Sequence, residues 1–450
     1  MPQLFLIVTC LIFIIGFASF ALVSRFEGHQ RAARLGGLAA LASLLALGGV
    51  LIMSTALQTI LALALGIGLL ALVIFMVWPV QLEVQLSPSP QLQVDERTTI
   101  FARARLQPGS ADFLAYYRNH PEHQTADDIF RANPGLLAAD ARFYDALSAS
   151  SPEGGFFLTE ALRDSVDGPV ASHYLDQPPE EMTSFIKSLA AYHSSIETGI
   201  CELQPYHIYS HIGRGSGTYG APIELDHRYA IALTVEMNHT MLNSAPRMPT
   251  VMESARQYAQ SAQIAVILAA AIRSLGYPAR AHIDGNYRVI APLVAKEAGL
   301  GEIGRMGLLM TPRLGPRVRL AVVTTDLPLQ VDHPTWDPTV IDFCQRCTKC
   351  AAVCPSQAIP IGDREIHPDG TLRWKVNPER CYTYWTKIGT DCGRCMAVCP
   401  YAHADNAFHN LIRYGVAHSA NFRHAAIWLD DVFYGRKPRP HQPPGWLRND

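Results

Sequence analysis

The sequence has almost no surplus of charge of either sign: 37 lysines and arginines stand against 39 aspartates and glutamates in 450 residues, a net charge of −2. That balance gives no footing for a nucleic-acid partner or for a strongly acidic surface. Three N-terminal stretches lack charge altogether. Leu4 to Val23, Leu35 to Leu57 and Thr59 to Trp78 contain no Asp, Glu, Lys, Arg or His, and each is long enough to cross ~30 Å of hydrocarbon as a helix. Without histidine inside them, bis-histidine haem ligation is disfavoured, and without carboxylates so is an intramembrane proton relay. What remains is an anchor or docking surface. The first run also lacks a basic leading segment and a twin-arginine pair, and further spans follow it, so it is expected to be retained rather than cleaved as a signal peptide. Histidines such as His207, His211, His227 and His239 show no metal-ligand spacing, and Cys10 and Cys201 read as small buried hydrophobes.

The loop between the first two spans carries Arg25, Arg31 and Arg34. By the positive-inside rule that loop is cytoplasmic, so three crossings deliver the rest of the chain to the cytoplasmic face of the inner membrane. Five regions are expected: a membrane anchor over 1–80 with spans near 4–23, 35–57 and 59–78; a proline-punctuated linker over 81–95; a catalytic domain over 96–330; a cysteine-rich domain over 331–415; and a tail over 416–450. Tyr229–Met237 and Arg319–Thr325 are short, β-branched apolar runs that read as buried strands. Val251–Leu275 has helical composition and stops at Gly276-Tyr277-Pro278. The fold class is therefore α+β or α/β, with the cysteine region appended.

Eight of the ten cysteines form two runs, Cys344-x2-Cys347-x2-Cys350-x3-Cys354-Pro355 and Cys381-x10-Cys392-x2-Cys395-x3-Cys399-Pro400. This is the spacing of a bacterial two-cluster ferredoxin, in which the fourth cysteine of each run crosses to the other cluster. The expected ligand sets are Cys344, Cys347, Cys350 and Cys399 for one [4Fe–4S] cluster, and Cys381, Cys392, Cys395 and Cys354 for the second. Zinc motifs seldom carry the third cysteine at this spacing or the Cys-Pro ending, and disulfides need an oxidising compartment.

A second constellation lies between Met252 and Leu320. It holds Ser254 and Tyr258 one helical turn apart, Asp284-Gly285-Asn286-Tyr287, a turn containing Gly299, Gly301, Gly304 and Arg305, and Arg317 and Arg319 beside Leu320. The glycines allow close backbone approach to a bulky ligand. The Gly-Leu-Gly triplet lacks the context of a dinucleotide site.

From about Phe101 to Pro438 the sequence resembles the corrinoid-dependent reductive dehalogenases, and more distantly the epoxyqueuosine reductases. The resemblance rests on Tyr116-Tyr117-Arg118-Asn119-His120-Pro121-Glu122, Asn133-Pro134-Gly135-Leu136, the glycine turn, Thr324-Thr325-Asp326-Leu327-Pro328-Leu329 and both cysteine runs. It implies a nitroreductase-like core holding a base-off cobalamin, without the Asp-x-His-x-x-Gly lower-ligand motif that this chain also lacks. It implies an organohalide as the small-molecule substrate. It further implies a proton-donating tyrosine supported by an amide and a cation, which fall on Tyr258, Asn286 and Arg319, with Arg317 as the rival cation. The glycine turn, Gly299, Gly301, Gly304 and Arg305, is assigned to cofactor binding.

The chain departs from the exported respiratory members in lacking their twin-arginine signal and in carrying its own three spans, so it is similar to a membrane-fused, cytoplasm-facing branch. An epoxyqueuosine-reductase activity is the alternative, but those enzymes have an aspartate in a Val-Asp-Thr run after the Gly-Tyr-Pro turn, where this chain reads Gly285-Asn286-Tyr287. A membrane-bound ferredoxin-type subunit is the rival from another class, and it leaves the large domain before the clusters without a purpose. The electron donor, whether ferredoxin, flavoprotein or membrane quinol, is not legible.

Overall fold

Apolar runs, strand-forming runs and cysteine loops follow one another along the chain, and each becomes a distinct layer of the computed structural model, which describes residues 1–80, 84–333 and 337–447. The ends of the expected linker (81–83) and tail (448–450), with 334–336, lie outside the described residues. Three long helices come first, α1 (Pro2–Phe26), α2 (Gln30–Ile52) and α3 (Thr55–Val77), each long and apolar enough to cross a membrane. Short helices follow: α4 (Ile100–Arg103), α5 (Ala111–Asn119), α6 (Pro121–Arg131), α7 (Ala146–Ala161) and α8 (Pro179–Tyr192). The central region alternates β1 (Glu197–Glu202), β2 (Tyr229–Glu236), α9 (His239–Asn243), α10 (Pro249–Ser274), β3 (Ala279–His282), α11 (Ala291–Glu297), β4 (Glu302–Ile303), β5 (Leu309–Met310) and β6 (Val318–Thr325). The cysteine region comprises α12 (Pro338–Cys347), α13 (Lys349–Val353), a small hairpin of β7 (Glu365–Ile366) and β8 (Leu372–Arg373), α14 (Pro378–Ile388) and α15 (Arg394–Ala397). Two further helices close the chain, α16 (Ala407–His418) and α17 (Ala420–Phe433).

Two compact units result, residues 1–83 with 403–441, and residues 84–402 with 442–450. This differs from the expected boundary at 415/416, because the segment after Ala402 packs with the three apolar N-terminal helices instead of the cysteine region. The expected tail over 416–450 contains the 14-residue helix α17.

The break between the second and third apolar runs falls at Met53–Ser54, not at Gln58. Gln58 explains the placement: its buried side-chain amide donates to the carbonyls of Val50 (2.9 Å) and Met53 (3.2 Å), satisfying acceptors that the end of α2 leaves open. In the same unit α1 and α2 approach closely at Gly36, where an added Cβ would lie 2.8 Å from the Phe20 ring.

The larger unit is built on an antiparallel sheet of order β1-β2-β6-β3. Alternate residues of β2 face opposite sides. Tyr229, Ile231, Leu233 and Val235 pack under α10 and α8, whereas Ala230 and Ala232 pack under α11. Covered on both faces, β2 reads as a continuous apolar run, which is why it was legible in the sequence. The β2–β6 register pairs Val235 with Arg319. Directly opposed residues share a face, so the register aims Arg319 at α10.

Candidate active site and cysteine loops

Tyr258 lies on α10 one turn beyond Ser254, and Arg319 meets both. Its guanidinium carbon sits 5.0 Å from the centroid of the Tyr258 ring. Its Nη2 donates to Ser254 Oγ (2.7 Å) and to Asp391 Oδ2 (3.3 Å). Ser254 Oγ in turn donates to the same Asp391 oxygen in a short contact. A hydroxyl that accepts from a cation and donates to a carboxylate fixes the guanidinium in one orientation. Arg319 Nε is buried with no partner among the described residues, and the Tyr258 hydroxyl makes no hydrogen bond to the described protein.

Burial pushes the Tyr258 phenol above its ordinary value of 10, and the Arg319 cation pulls against that shift. Asp391 is likewise raised by burial and lowered by Arg319 and Ser254. Tyr287, Tyr209, Asp284 and Arg214 complete the surroundings, all within electrostatic reach of Tyr258 or of one another. Burial raises Tyr287 well above 10 and Tyr209 to about 12. Tyr209, Tyr258 and Tyr287 are each partly exposed, so their side chains border solvent-accessible space. Arg214 is held there by Glu96, fully buried, which also accepts from the main-chain N–H of Gly213 and Arg214.

The other expected members are placed elsewhere. Asn286 is 0% exposed. Its Oδ1 accepts from Arg280, and its Nδ2 donates to the Arg163 carbonyl and to Ser216 Oγ. The amide therefore joins β3, the turn after α7 and the loop around Ser216, and among the described residues no hydrogen bond links it to Tyr258. Arg317, the rival cation, lies before the first residue of β6 and binds Glu236 (2.5 Å) and the carbonyls of Met237 (2.6 Å) and Ala402 (3.1 Å). It pins the end of the cysteine region to the sheet.

The glycine turn also departs from the expectation of a cofactor cradle. A Cβ at Gly301 would lie 2.2 Å from the Met310 carbonyl, and one at Gly304 would lie 2.7 Å from Met310 Cγ and 3.4 Å from Cys344 Sγ. Gly299 has φ +77 and turns the chain out of α11. Arg305, 1% exposed, donates to the carbonyls of Cys344 (2.9 Å), Pro360 (2.8 Å), Ile361 (2.9 Å) and Gly362 (2.7 Å). These glycines give close backbone approach, but to β5 and the first cysteine loop.

All ten cysteines are unpaired by disulfides. Cys399 lies within electrostatic reach of Cys344, Cys347 and Cys350, and Cys354 within reach of Cys381, Cys392 and Cys395. These proximities are the ones that an exchange of the last cysteines would give, although Cys395 is also within reach of Cys350. Burial pushes the thiols of Cys344, Cys350 and Cys392 to about 12 and that of Cys381 to about 11. Thiolates at such positions require a cationic centre, so the donor set fits iron–sulfur clusters. Left-handed backbone at Thr348 (φ 46) and Cys392 (φ 54) folds each loop around its sulfurs.

Sequence reasoning missed Asp391, Tyr209 and Arg214, and named Asp284 without giving it a role. Asp391 carried only the weak signal of preceding a cysteine, and its contact with Ser254 spans 137 residues.

Residues 343–403 match the family model of the 4Fe-4S dicluster domain. The chain is 35% identical over 231 residues to the tetrachloroethene reductive dehalogenase of Sulfurospirillum multivorans, covering 48% of this chain and 46% of that one. It is 34% identical over 126 residues to an epoxyqueuosine reductase of Lactococcus garvieae, covering 26% and 33%. Among solved structures it is similar to a catabolic reductive dehalogenase, also solved with 3-bromo-4-hydroxybenzoic acid, at a TM-score of 0.64 and 26% identity over 79% of this chain and 48% of that one. The chain spans at most about half the length of these relatives. The mixed α/β fold is thus similar to that of a reductive dehalogenase, and residues 343–403 form a 4Fe-4S dicluster domain.

Proposed function

We propose that the chain is a membrane-anchored, cobalamin-dependent reductive dehalogenase that replaces carbon–halogen by carbon–hydrogen in an organohalide. The observation that carries this reading is Tyr258 beneath the Arg319 guanidinium, its hydroxyl uncommitted within the described protein, in a unit that also gathers eight cysteines into two groups. The reaction takes two electrons and one proton and releases halide.

Tyr258 supplies the proton. Its raised pKa keeps the phenol protonated at neutral pH, so the proton is present there and lost only at strongly alkaline pH. Arg319 stabilises the tyrosinate left behind. Ser254 and Asp391 hold that cation in place, and Tyr209 and Tyr287 border the site. Cys344, Cys347, Cys350 and Cys399 hold one [4Fe–4S] cluster, and Cys381, Cys392, Cys395 and Cys354 the other.

A corrinoid held without a protein histidine would supply the low-valent cobalt chemistry, and Tyr258, Tyr287, Tyr209 and Arg319 would border its site. His282 on β3 is unavailable as such a ligand, with Nδ1 accepting from Arg288 N and Nε2 bonded to Thr324. The three spans anchor the protein in the inner membrane with the catalytic unit in the cytoplasm, where a ferredoxin, flavoprotein or quinol serves as donor.

Tyr258→Phe removes one oxygen and keeps the ring. Turnover of tetrachloroethene or 3-bromo-4-hydroxybenzoic acid with an artificial reductant should fall by ~10²–10⁴ at full corrinoid and iron content. Near-normal turnover would return Tyr258 to a packing role.

A further inference from the structure

Helices α16 and α17 have inside-out polarity. In α16 the buried residues include His409 and Arg413, while Leu411 and Tyr414 are 66% and 63% exposed. In α17 Arg423 is 2% and Asp430 7% exposed, while Trp428 is 64% exposed. The inward charged groups are partnered: Arg413 donates to Asn410 (2.7 Å) and the His403 carbonyl, Arg423 to the Val416 carbonyl (2.5 Å), and Asp430 is bonded to His403 Nε2 (2.8 Å). An ordinary water-facing helix has the opposite arrangement.

The pair is fastened to the membrane helices of its own unit. Glu27, which caps the C-terminal end of α1, accepts from Asn406 (2.6 Å) and is bonded to His409 (3.1 Å). Arg31 Nε donates to the Val432 carbonyl (3.0 Å). At the C-terminal end of α3, the carbonyls of Phe75 and Met76 are taken by the side chains of Asn421 (2.7 Å) and Ser419. The ends of α1 and α3 emerge on the same side, since the helix between them runs back. Both terminal helices are therefore held at one membrane boundary. Phe20 marks how far they reach: its ring packs against Phe408 (5.2 Å) and Phe433 (4.9 Å), and it lies six residues, ~9 Å of helix rise, before the end of α1.

We infer that α16 and α17 lie in the headgroup boundary of the bilayer, with Leu411, Tyr414 and Trp428 inserted among the lipids. Trp and Tyr favour that depth, and helices with apolar residues outward bind there. The occupant of this surface is phospholipid, not a second protein chain, because the pair is bonded to the ends of helices long and apolar enough to cross a membrane and packs on Phe20 within one of them.

The test uses the full chain in phospholipid nanodiscs with a photoreactive benzoylphenylalanine at Leu411 or Trp428, and at Phe157, an exposed residue of α7, as comparison. Irradiation should give lipid adducts at 411 and 428 at about tenfold the yield at 157. In parallel, brominated lipids should quench a larger fraction of the fluorescence of the unsubstituted protein than of Trp428→Phe. Adducts to protein, adduct yields no higher than at 157, or equal quenching would each overturn the inference. These readouts need no turnover, so they stand or fall separately from the dehalogenase reading.

Discussion

Asp391→Asn removes one negative charge from a site where that charge anchors the cation over Tyr258. Asp391 Oδ2 receives both Arg319 Nη2 at 3.3 Å and the Ser254 hydroxyl, and Arg319 reaches the same hydroxyl at 2.7 Å. A hydrogen bond to a charged group contributes about 1.5–3 kcal/mol. If Arg319 acts on the tyrosinate that forms as the proton leaves, most of this appears in the transition state, equivalent to a fall in kcat of ~10–150-fold with little change in KM. Ser254→Ala should act through the same cation, so the double variant should cost little more than the worse single one. The assay is steady-state dehalogenation with an artificial reductant, alongside corrinoid content, iron content and EPR of both clusters, because Asp391 precedes Cys392. Turnover within twofold of wild type at full cofactor content would refute the anchoring argument, as would additive losses in the double variant.

Cys354→Ala should deplete the cluster held by Cys381, Cys392 and Cys395, and Cys399→Ala the other, as read by EPR; loss confined to each cysteine's own run would refute the crossing. Gly301→Ala places a Cβ against the Met310 carbonyl at a φ of +155, and strain of about 1–3 kcal/mol should lower the melting temperature by several degrees. His207 is fully buried and burial lowers it to about 4. Its folded pKa lies below its unfolded value, so the stability it contributes is present above about 6.5 and lost as pH falls toward 4. Melting curves of His207→Gln should therefore depend less on pH across that window than those of wild type.

The parts of this chain legible in the sequence are those whose residues answer to local rules. Tyr229–Glu236 reads as a strand because both its faces are covered, and the cysteine runs read as cluster loops because their spacing is itself the geometry of the site. Arg319 was distinguished from Arg317 only by where β6 begins, a one-residue matter that a period of two cannot settle. The glycine turn misled because close approach is all that glycine announces; that Met310 and Cys344 are what approaches is a tertiary fact. The terminal helices were taken for the end of a ferredoxin domain and a polar tail because their charged residues look solvent-facing until the partners of Arg413, Arg423 and Asp430 are known. Asn286 stands out within its motif, but that its amide bonds Arg280, Arg163 and Ser216 is likewise a tertiary fact.

The turn at 389–393 joins the two halves of the proposed chemistry. Gly389 (φ 80), Cys392 (φ 54) and Gly393 (φ 64) are all left-handed, and a Cβ at Gly393 would lie 2.5 Å from Thr250 Cγ2 in the first turn of α10. Holding a cysteine in that conformation costs of order 1–3 kcal/mol and persists only where the surroundings fix it. Here the conformation turns Asp391 toward Ser254 and Arg319, while the next side chain joins the cysteine group of the second run. In the proposed chemistry, adjacent residues thus serve the proton side and the electron side, and a displacement of this loop would disturb both at once. An enzyme that must deliver electrons and a proton to one carbon gains from such an arrangement, because the helix that carries the acid and the loop that carries a cluster ligand are held in register by a single buried carboxylate.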